Sequence, residues 1–294
     1  MSQARFNTGL ATRRATEVVD LRIAPTRVRR AVRGRRHELE VKLADLQQHY
    51  AELRTEIFEA AQVHRKLCAP RYVRLGNFEV ASEIFAVRHL PGDFFTVEEK
   101  SDGVVMALGD ICGKGLAAGM WTTHLVGLVG ARVAVTAKTE AIVSGVNRDI
   151  CLLKSTTQLA PLASLFLAKL DPHTGTVKYC SAGHPPALLL RANGELELLS
   201  EGGMLLGVIA GTPYVSGTFQ LEAGDVLMIY SDGITEATNC AADEFGEARL
   251  IAQLRKAQGG PADAVLFSVL GAVQDFAAAS PVVDDMSVAI LRRA

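Results

Sequence analysis

The stretch GVVMALGDICGKGLAAGM, residues 103–120, decides how this chain is to be read. An apolar run rich in β-forming residues ends in Asp110, and a burst of glycines follows before a second apolar segment begins. Counting excludes two nucleotide-binding signatures. A phosphate-cradling P-loop needs four residues between its first glycine and its Gly-Lys pair, then Ser or Thr; here Gly109 and Gly113 enclose three, and Gly115 follows Lys114. A dinucleotide fingerprint needs two residues between its second and third glycines, whereas Gly115 and Gly119 enclose three. What remains is a carboxylate at the end of a hydrophobic strand, beside glycines that let backbone approach a ligand closely.

Outward from this stretch the pattern is one of alternation and turns. Residues 77–87, 93–99 and 103–111 read as strands, the last two joined by a turn at Ser101, Asp102 and Gly103. Helices are predicted over 116–137 and 139–155. A meander of short strands follows at 163–171, 176–183, 186–192 and 195–199, with turn sequences at 171–175 and 193–194. Further strands fall at 214–221, 225–231 and 286–293, and helices near 244–257 and 261–279. Hairpin-linked strands with helices in long insertions predict an α+β fold, two packed antiparallel sheets flanked by helices.

Before residue 70 the texture is different. Leu39, Leu43, Leu46, Tyr50, Leu53, Ile57, Ala60, His64 and Leu67 recur at steps of four and three without a break. This is a heptad pattern, and it predicts a coiled-coil helix over residues 36–70 that pairs with a second copy and is ended by Pro70. Residues 1–42 hold eleven Arg or Lys against four acids, so residues 1–35 form a basic arm. The whole chain nevertheless carries a net charge of −1, which argues against general affinity for nucleic acid or an anionic membrane. Five cysteines, none at metal-ligand or redox spacing, speak against a disulfide framework and fit a reducing cytoplasm. Neither a membrane span nor a secretory signal is read. The expected organisation is an arm at 1–35, a dimerising helix at 36–70 and one domain at 71–294.

Three further places repeat the pattern around Asp110. Asp93 opens GDFFTV (92–97), Asp232 ends a strand in VLMIYSDGITEA (226–237), and Asp284 with Asp285 opens the last strand in VVDDMSVAIL (282–291). Any one alone reads better as a turn residue or helix cap. Four sets together point to a shared site. Carboxylates within about 4 Å repel by about 4 kcal/mol per pair at an effective dielectric of 20, so such a cluster requires cations. Oxygen donors without a His or Cys set select magnesium or manganese over zinc.

In order along the chain, LPGDFF (90–95), LGDICGKGLAAGM (108–120), CSAGHPPALLL (180–190), GDVLMIYSDGITEATN (224–239), EFGEARL (244–250) and DDMSVAIL (284–291) resemble the blocks of the PPM-type metal-dependent serine/threonine protein phosphatases, in the bacterial SpoIIE or RsbU-like branch. The resemblance runs from about Leu75 to Arg292. It implies a β-sandwich between helical layers and two divalent ions, manganese or magnesium. By resemblance, Asp110 bridges the two ions with the main-chain carbonyl of Ile111, Asp232 and Asp284 bind the first ion, and Asp93 holds the second. Asp285 is the neighbour with which Asp284 exchanges roles most easily. Asp110 and Asp232 are thus the candidate catalytic pair, and Gly92, Gly113 and Gly233 serve backbone geometry. The chemistry implied is in-line attack on phosphorus by a metal-activated water, without a phosphoenzyme.

His184 has two readings, a general acid for the leaving oxygen or a structural loop histidine. Lys114 likewise either approaches phosphate or packs at the surface. No counterpart of the phosphate-holding arginine of eukaryotic members is read, and the substrate-binding residues stay unassigned. Leu90 and Pro91 replace a common Val-Gly pair, Thr96 stands where many members have Asp, and Ser181 where Asn is usual. The substrate implied is a phosphoserine or phosphothreonine on a small regulatory protein, a STAS-type anti-sigma-factor antagonist, with an upstream regulatory protein acting through the coil and the helices at 116–155. The alternative is a pseudo-phosphatase acting as an interaction module.

Overall fold

The computed structural model describes residues 25–68, 72–157, 161–278 and 280–294, which divide into two compact units between Glu56 and Ile57. Residues 1–24 of the expected basic arm lie outside the described residues, as does Pro70, the expected helix stop. Among the described residues no helix is long and apolar enough to cross a membrane.

The first unit is the leading part of α1, Thr26–Cys68. Leu39, Leu43, Leu46, Tyr50 and Leu53 of the heptad stripe are each more than half exposed. Ion pairs Arg36–Glu40 and Lys42–Glu38 lie at helical spacing on the same segment. The last turns of α1 belong to the second unit and depart from the seam reading. There His64 is buried, Cys68 joins a core cluster, and Arg65 pairs with Glu83.

The second unit contains two sheets. The strands are β1 (Tyr72–Leu75), β2 (Phe78–Phe85), β3 (Phe94–Lys100), β4 (Gly103–Ile111), β5 (Ala163–Leu170), β6 (Thr176–Ala182), β7 (Ala187–Leu190), β8 (Leu196–Leu199), β9 (Gly202–Gly203), β10 (Gly217–Gln220), β11 (Val226–Tyr230) and β12 (Met286–Arg293). The helices that follow α1 are α2 (Leu116–Val133), α3 (Thr139–Thr157), the single turn α4 (Asp232–Thr235), α5 (Gly246–Ala257) and α6 (Ala262–Ala277). One sheet runs β1-β2-β12-β11-β7-β8 and the other β10-β6-β5-β4-β3. All these pairs are antiparallel; the short β9 adds a parallel contact to β6.

Burial on both strand faces explains why the sequence shows apolar runs rather than strict alternation. In β11 every residue is buried: Leu227 and Ile229 point into the core between the sheets, while Val226, Met228 and Tyr230 face α5 and α6. β4 divides in the same way, with Met106 and Leu108 between the sheets and Val105 and Ala107 beneath α2 and α3. The result is four layers, helices on either side of two stacked sheets. Burying each such side chain contributes about 1.5–3 kcal/mol, so three stacked apolar clusters give the polar site at the strand ends a rigid support.

Candidate metal centre

Strand register brings the acids together in two pairs. In the β3–β4 ladder Phe94 lies opposite Gly109, so Asp93 and Asp110, one step beyond each, meet at the strand ends. In the β11–β12 ladder Tyr230 lies opposite Val288, so Asp232 and the Asp284–Asp285 pair leave the same end of the other sheet. Ser287 joins the two pairs: its hydroxyl donates to Asp93 across the sandwich, and its backbone is paired with Ser231 in both directions. The chain segments around all four sites therefore share one edge. Asp232 itself differs from expectation: the strand stops at Tyr230, and Asp232 is the first residue of α4.

Two glycines allow this closeness. A Cβ on Gly233 would stand 2.0 Å from the carbonyl oxygen of Asp285, so any larger residue would push α4 away from the Asp284–Asp285 segment. A Cβ on Gly92 would stand 3.2 Å from Ile111 O and 3.3 Å from both Asp110 Oδ1 and Gly113 O. Three oxygens thus converge on the bare face of Gly92. Its main chain is committed as well. The Gly92 amide donates to Asp285 Oδ2 at 2.7 Å, and its carbonyl accepts from the Thr122 hydroxyl of α2 at 2.8 Å.

The two neighbouring acids at 284 and 285 are not equivalent. Asp285 is 8% exposed, and each of its oxygens accepts a backbone N–H, from Val87 at 2.8 Å and from Gly92 at 2.7 Å. Asp284 is more open; one oxygen accepts the Asp285 amide and the other pairs with Lys114 Nζ at 2.7 Å. Lys114 also donates to Val283 O at 2.9 Å, so it is neither loose in solvent nor packed along a helix.

The electrostatics are those of uncompensated like charge. Burial, and then the repulsion of Asp232, Asp284 and Asp285, raise Asp110 to about 7, against the lowering effect of its hydrogen bond with Asp93. Asp93 is pushed well above the carboxylate range, first by burial and then by Asp110, with Ser287 and Ser231 opposing. The two form a close carboxyl pair that favours a shared proton unless positive charge arrives. An all-oxygen donor set, the cradle at Gly92 and mutually repelling acids together fit a hard divalent cation. Among the described residues no three His, Cys, Asp or Glu side chains are gathered into a ready cage; Lys114 engages Asp284 and Ser287 engages Asp93.

Two further residues bear on the centre. Arg88, five positions before Asp93, lies against the glycine loop: its Nη1 is 3.4 Å from where a Cβ on Gly115 would be. Sequence reading missed it because only a basic residue at a fixed distance before Asp93 marked it. His184 is buried, with Nδ1 2.8 Å from Ser164 Oγ, and burial pushes its pKa down to about 3. Such a ring is not an imidazolium at neutral pH, so the geometry supports the structural reading over the general acid.

Comparison with known proteins bears on the family and the fold. The family model for stage II sporulation protein E, SpoIIE, matches residues 100–294. The phosphoserine phosphatase RsbU of Bacillus subtilis is 21% identical over 186 residues, 63% of this chain and 55% of that protein. The chain spans between 36% and 55% of the length of the curated relatives it matches. Among solved structures, the SiaA-PP2C domain of Pseudomonas aeruginosa superposes with a TM-score of 0.71 at 17% identity, over 83% of this chain and 98% of that one. The catalytic domain of the serine threonine protein phosphatase PstP, in complex with two manganese ions, gives 0.52 at 16% identity, over 73% of this chain and 97% of that one.

Proposed function

We propose, since this chain belongs to the SpoIIE (stage II sporulation protein E) family, that it is a metal-dependent phosphatase hydrolysing phosphoserine or phosphothreonine on a small regulatory protein. One observation supports the reading: acid-bearing segments from four distant parts of the chain end at one edge, where the Ser287 hydroxyl donates to Asp93 and the amide of Gly92, which lies against Asp110, donates to Asp285. The carboxylates of Asp93, Asp110, Asp232 and Asp284 and the carbonyl of Ile111 would hold two divalent ions, manganese or magnesium. Bound there, such ions supply an acidified water and neutralise charge on the phosphoryl oxygens.

The chain's own residues do the rest. Asp285 spends both oxygens on the amides of Val87 and Gly92 and so organises the loop that carries Asp93. Arg88 and Lys114 put positive charge on the glycine loop, where the substrate phosphate would approach. Thr122 ties α2 to Gly92, so a shift of α2 would be felt at Asp93 and Asp110. This supports the reading of α2 and α3 as switch elements answering to an upstream partner. The resemblance favours a STAS-type anti-sigma-factor antagonist as substrate.

The exposed stripe from Leu39 to Leu53 supports a homodimer through residues 36–70, in a cytoplasmic enzyme whose domain begins near residue 71. Replacing Leu43 and Leu46 by Glu should halve the mass measured by sedimentation equilibrium. The decisive experiment on activity is manganese-dependent hydrolysis of p-nitrophenyl phosphate. Asp110→Asn and Asp232→Asn should each lower turnover at least about a hundredfold; undiminished turnover in both would remove the mechanism.

A further inference from the structure

A cavity of about 420 Å³ adjoins the candidate centre and shares Gly233 and Asp284 with it. Its floor is apolar, formed by the buried Val273 of α6 and Met286 of β12, with Ala277 beside them. Glu236, which is exposed, stands at its rim. Neither wall is loose. On one side Asn239 Oδ1 accepts the amides of Ala241 and Asp243 at 2.9 and 3.0 Å, and Thr238 bridges to Glu244. On the other, Lys114 pins Val283 O, and the Ser280 amide donates to Ala277 O at 2.9 Å. The walls also touch, the Ser280 hydroxyl lying 3.6 Å from Cys240 Sγ. This is a preformed concavity opening beside the reacting centre.

Its chemistry is that of a greasy trough with a negative lip. Glu244 is exposed near Glu236, whose amide donates to Asp232 O at 2.8 Å. A purely aliphatic guest would fill the floor and ignore the lip. A lysine or arginine satisfies both, laying its methylene stem on Val273 and Met286 and its cation among the carboxylates.

We propose that this cavity takes a lysine or arginine side chain of the substrate protein close in sequence to the phosphorylated residue. The site thereby selects phosphoserine in a basic setting. The proposal rests on the phosphatase reading above, and p-nitrophenyl phosphate, which carries no cationic side chain, separates the two.

The test uses the full chain with manganese, the small ester and three phosphoserine peptides of equal length that carry Arg, Leu or Glu beside the phosphoserine. The Arg peptide should exceed the Glu peptide in kcat/KM by about tenfold. Glu236→Gln should lose about threefold to tenfold on the Arg peptide, mainly in KM, with the small ester unchanged. Ala277→Phe, which fills the trough, should impair the Arg and Leu peptides alike and again spare the small ester. A preference for Leu that is indifferent to Glu236→Gln would overturn the cationic guest in favour of an apolar one. Equal use of all three peptides, or an Ala277→Phe enzyme that handles them normally, would overturn the subsite. Loss of the wild-type chain's turnover on the small ester would remove the phosphatase reading, and this proposal with it.

Discussion

The two helical layers cover their sheets with comparable apolar cores, yet they attach to the candidate centre in different ways. On one side α2 reaches the backbone of the centre itself: Thr122 bonds Gly92 O, and Gly119 packs so tightly on Leu90 that a Cβ there would come within 2.5 Å of that side chain's Cβ. On the other side α6 contributes a cavity wall and no hydrogen bond to any of the acids, while Gly271 in the same helix faces open space. On the phosphatase reading, the first layer is placed to govern the reaction on every substrate. On the subsite proposal, the second is placed to govern which substrates are accepted.

Substitutions sharpen this contrast. The largest effect should come from Gly233→Ala, where the junction of α4 and β12 has no room. Overpacking against Asp285 O should cost about 3 kcal/mol, and the displaced Asp232 should lower small-ester turnover at least about a hundredfold. Chemical denaturation and steady-state kinetics on one preparation check both.

Acid should act next, and away from α5 and α6, which contain no histidine. Burial holds His184 near pH 3 and also lowers His64, with Asp285 and Gly119 opposing at the latter. An unfolded histidine titrates near 6.5, so the folded form binds fewer protons. The stability this contributes is complete above about 6.5 and declines as pH falls toward 3, by about 1.4 kcal/mol per unit from His184 alone. Asp93 and Asp110, raised in the metal-free chain, act in the opposite direction, so the check is the difference: the urea midpoint of the wild type minus that of His184→Gln should shrink from pH 7.5 through 6 to 5.

Gly119→Ala should cost about 1.5 kcal/mol and reduce turnover about tenfold, because Leu90 must move. Gly271→Ala, the matching change in the other layer, should stabilise by about 0.5–1 kcal/mol and leave turnover alone. Equal responses at the two glycines would break the comparison. The smallest effect is expected of Lys114→Met, whose partners are partly exposed: less than about 1 kcal/mol of stability, with manganese affinity, followed by the fluorescence of Trp121, rising once Asp284 is freed.

Much of this was legible in the sequence, for local reasons. Turn residues and apolar runs located the principal strands and helices, and the four acid-bearing blocks are segments that the strand register brings to one edge. What escaped reading depends on contacts between remote segments. β1 is a four-residue strand in which Tyr72 and Arg74 are exposed and Val73 and Leu75 only half-buried, too weak a pattern to see. Asp232 looked like a strand end because the register that stops β11 is set by β12, some sixty residues later. His64 kept heptad spacing although its place is filled by burial in the second unit, and periodicity cannot tell which surface a stripe will meet. Asp284 and Asp285 were interchangeable on paper because their difference lies in amides 193 and 198 positions away.

The place of β12 between β2 and β11 has a consequence for biosynthesis. Both of its neighbours leave the ribosome first and must wait with unpaired edges until residues 286–293 emerge. Until then neither Asp284 nor the clamp at Asp285 is in place. On the phosphatase reading, a nascent chain therefore stays inactive until its last strand has paired.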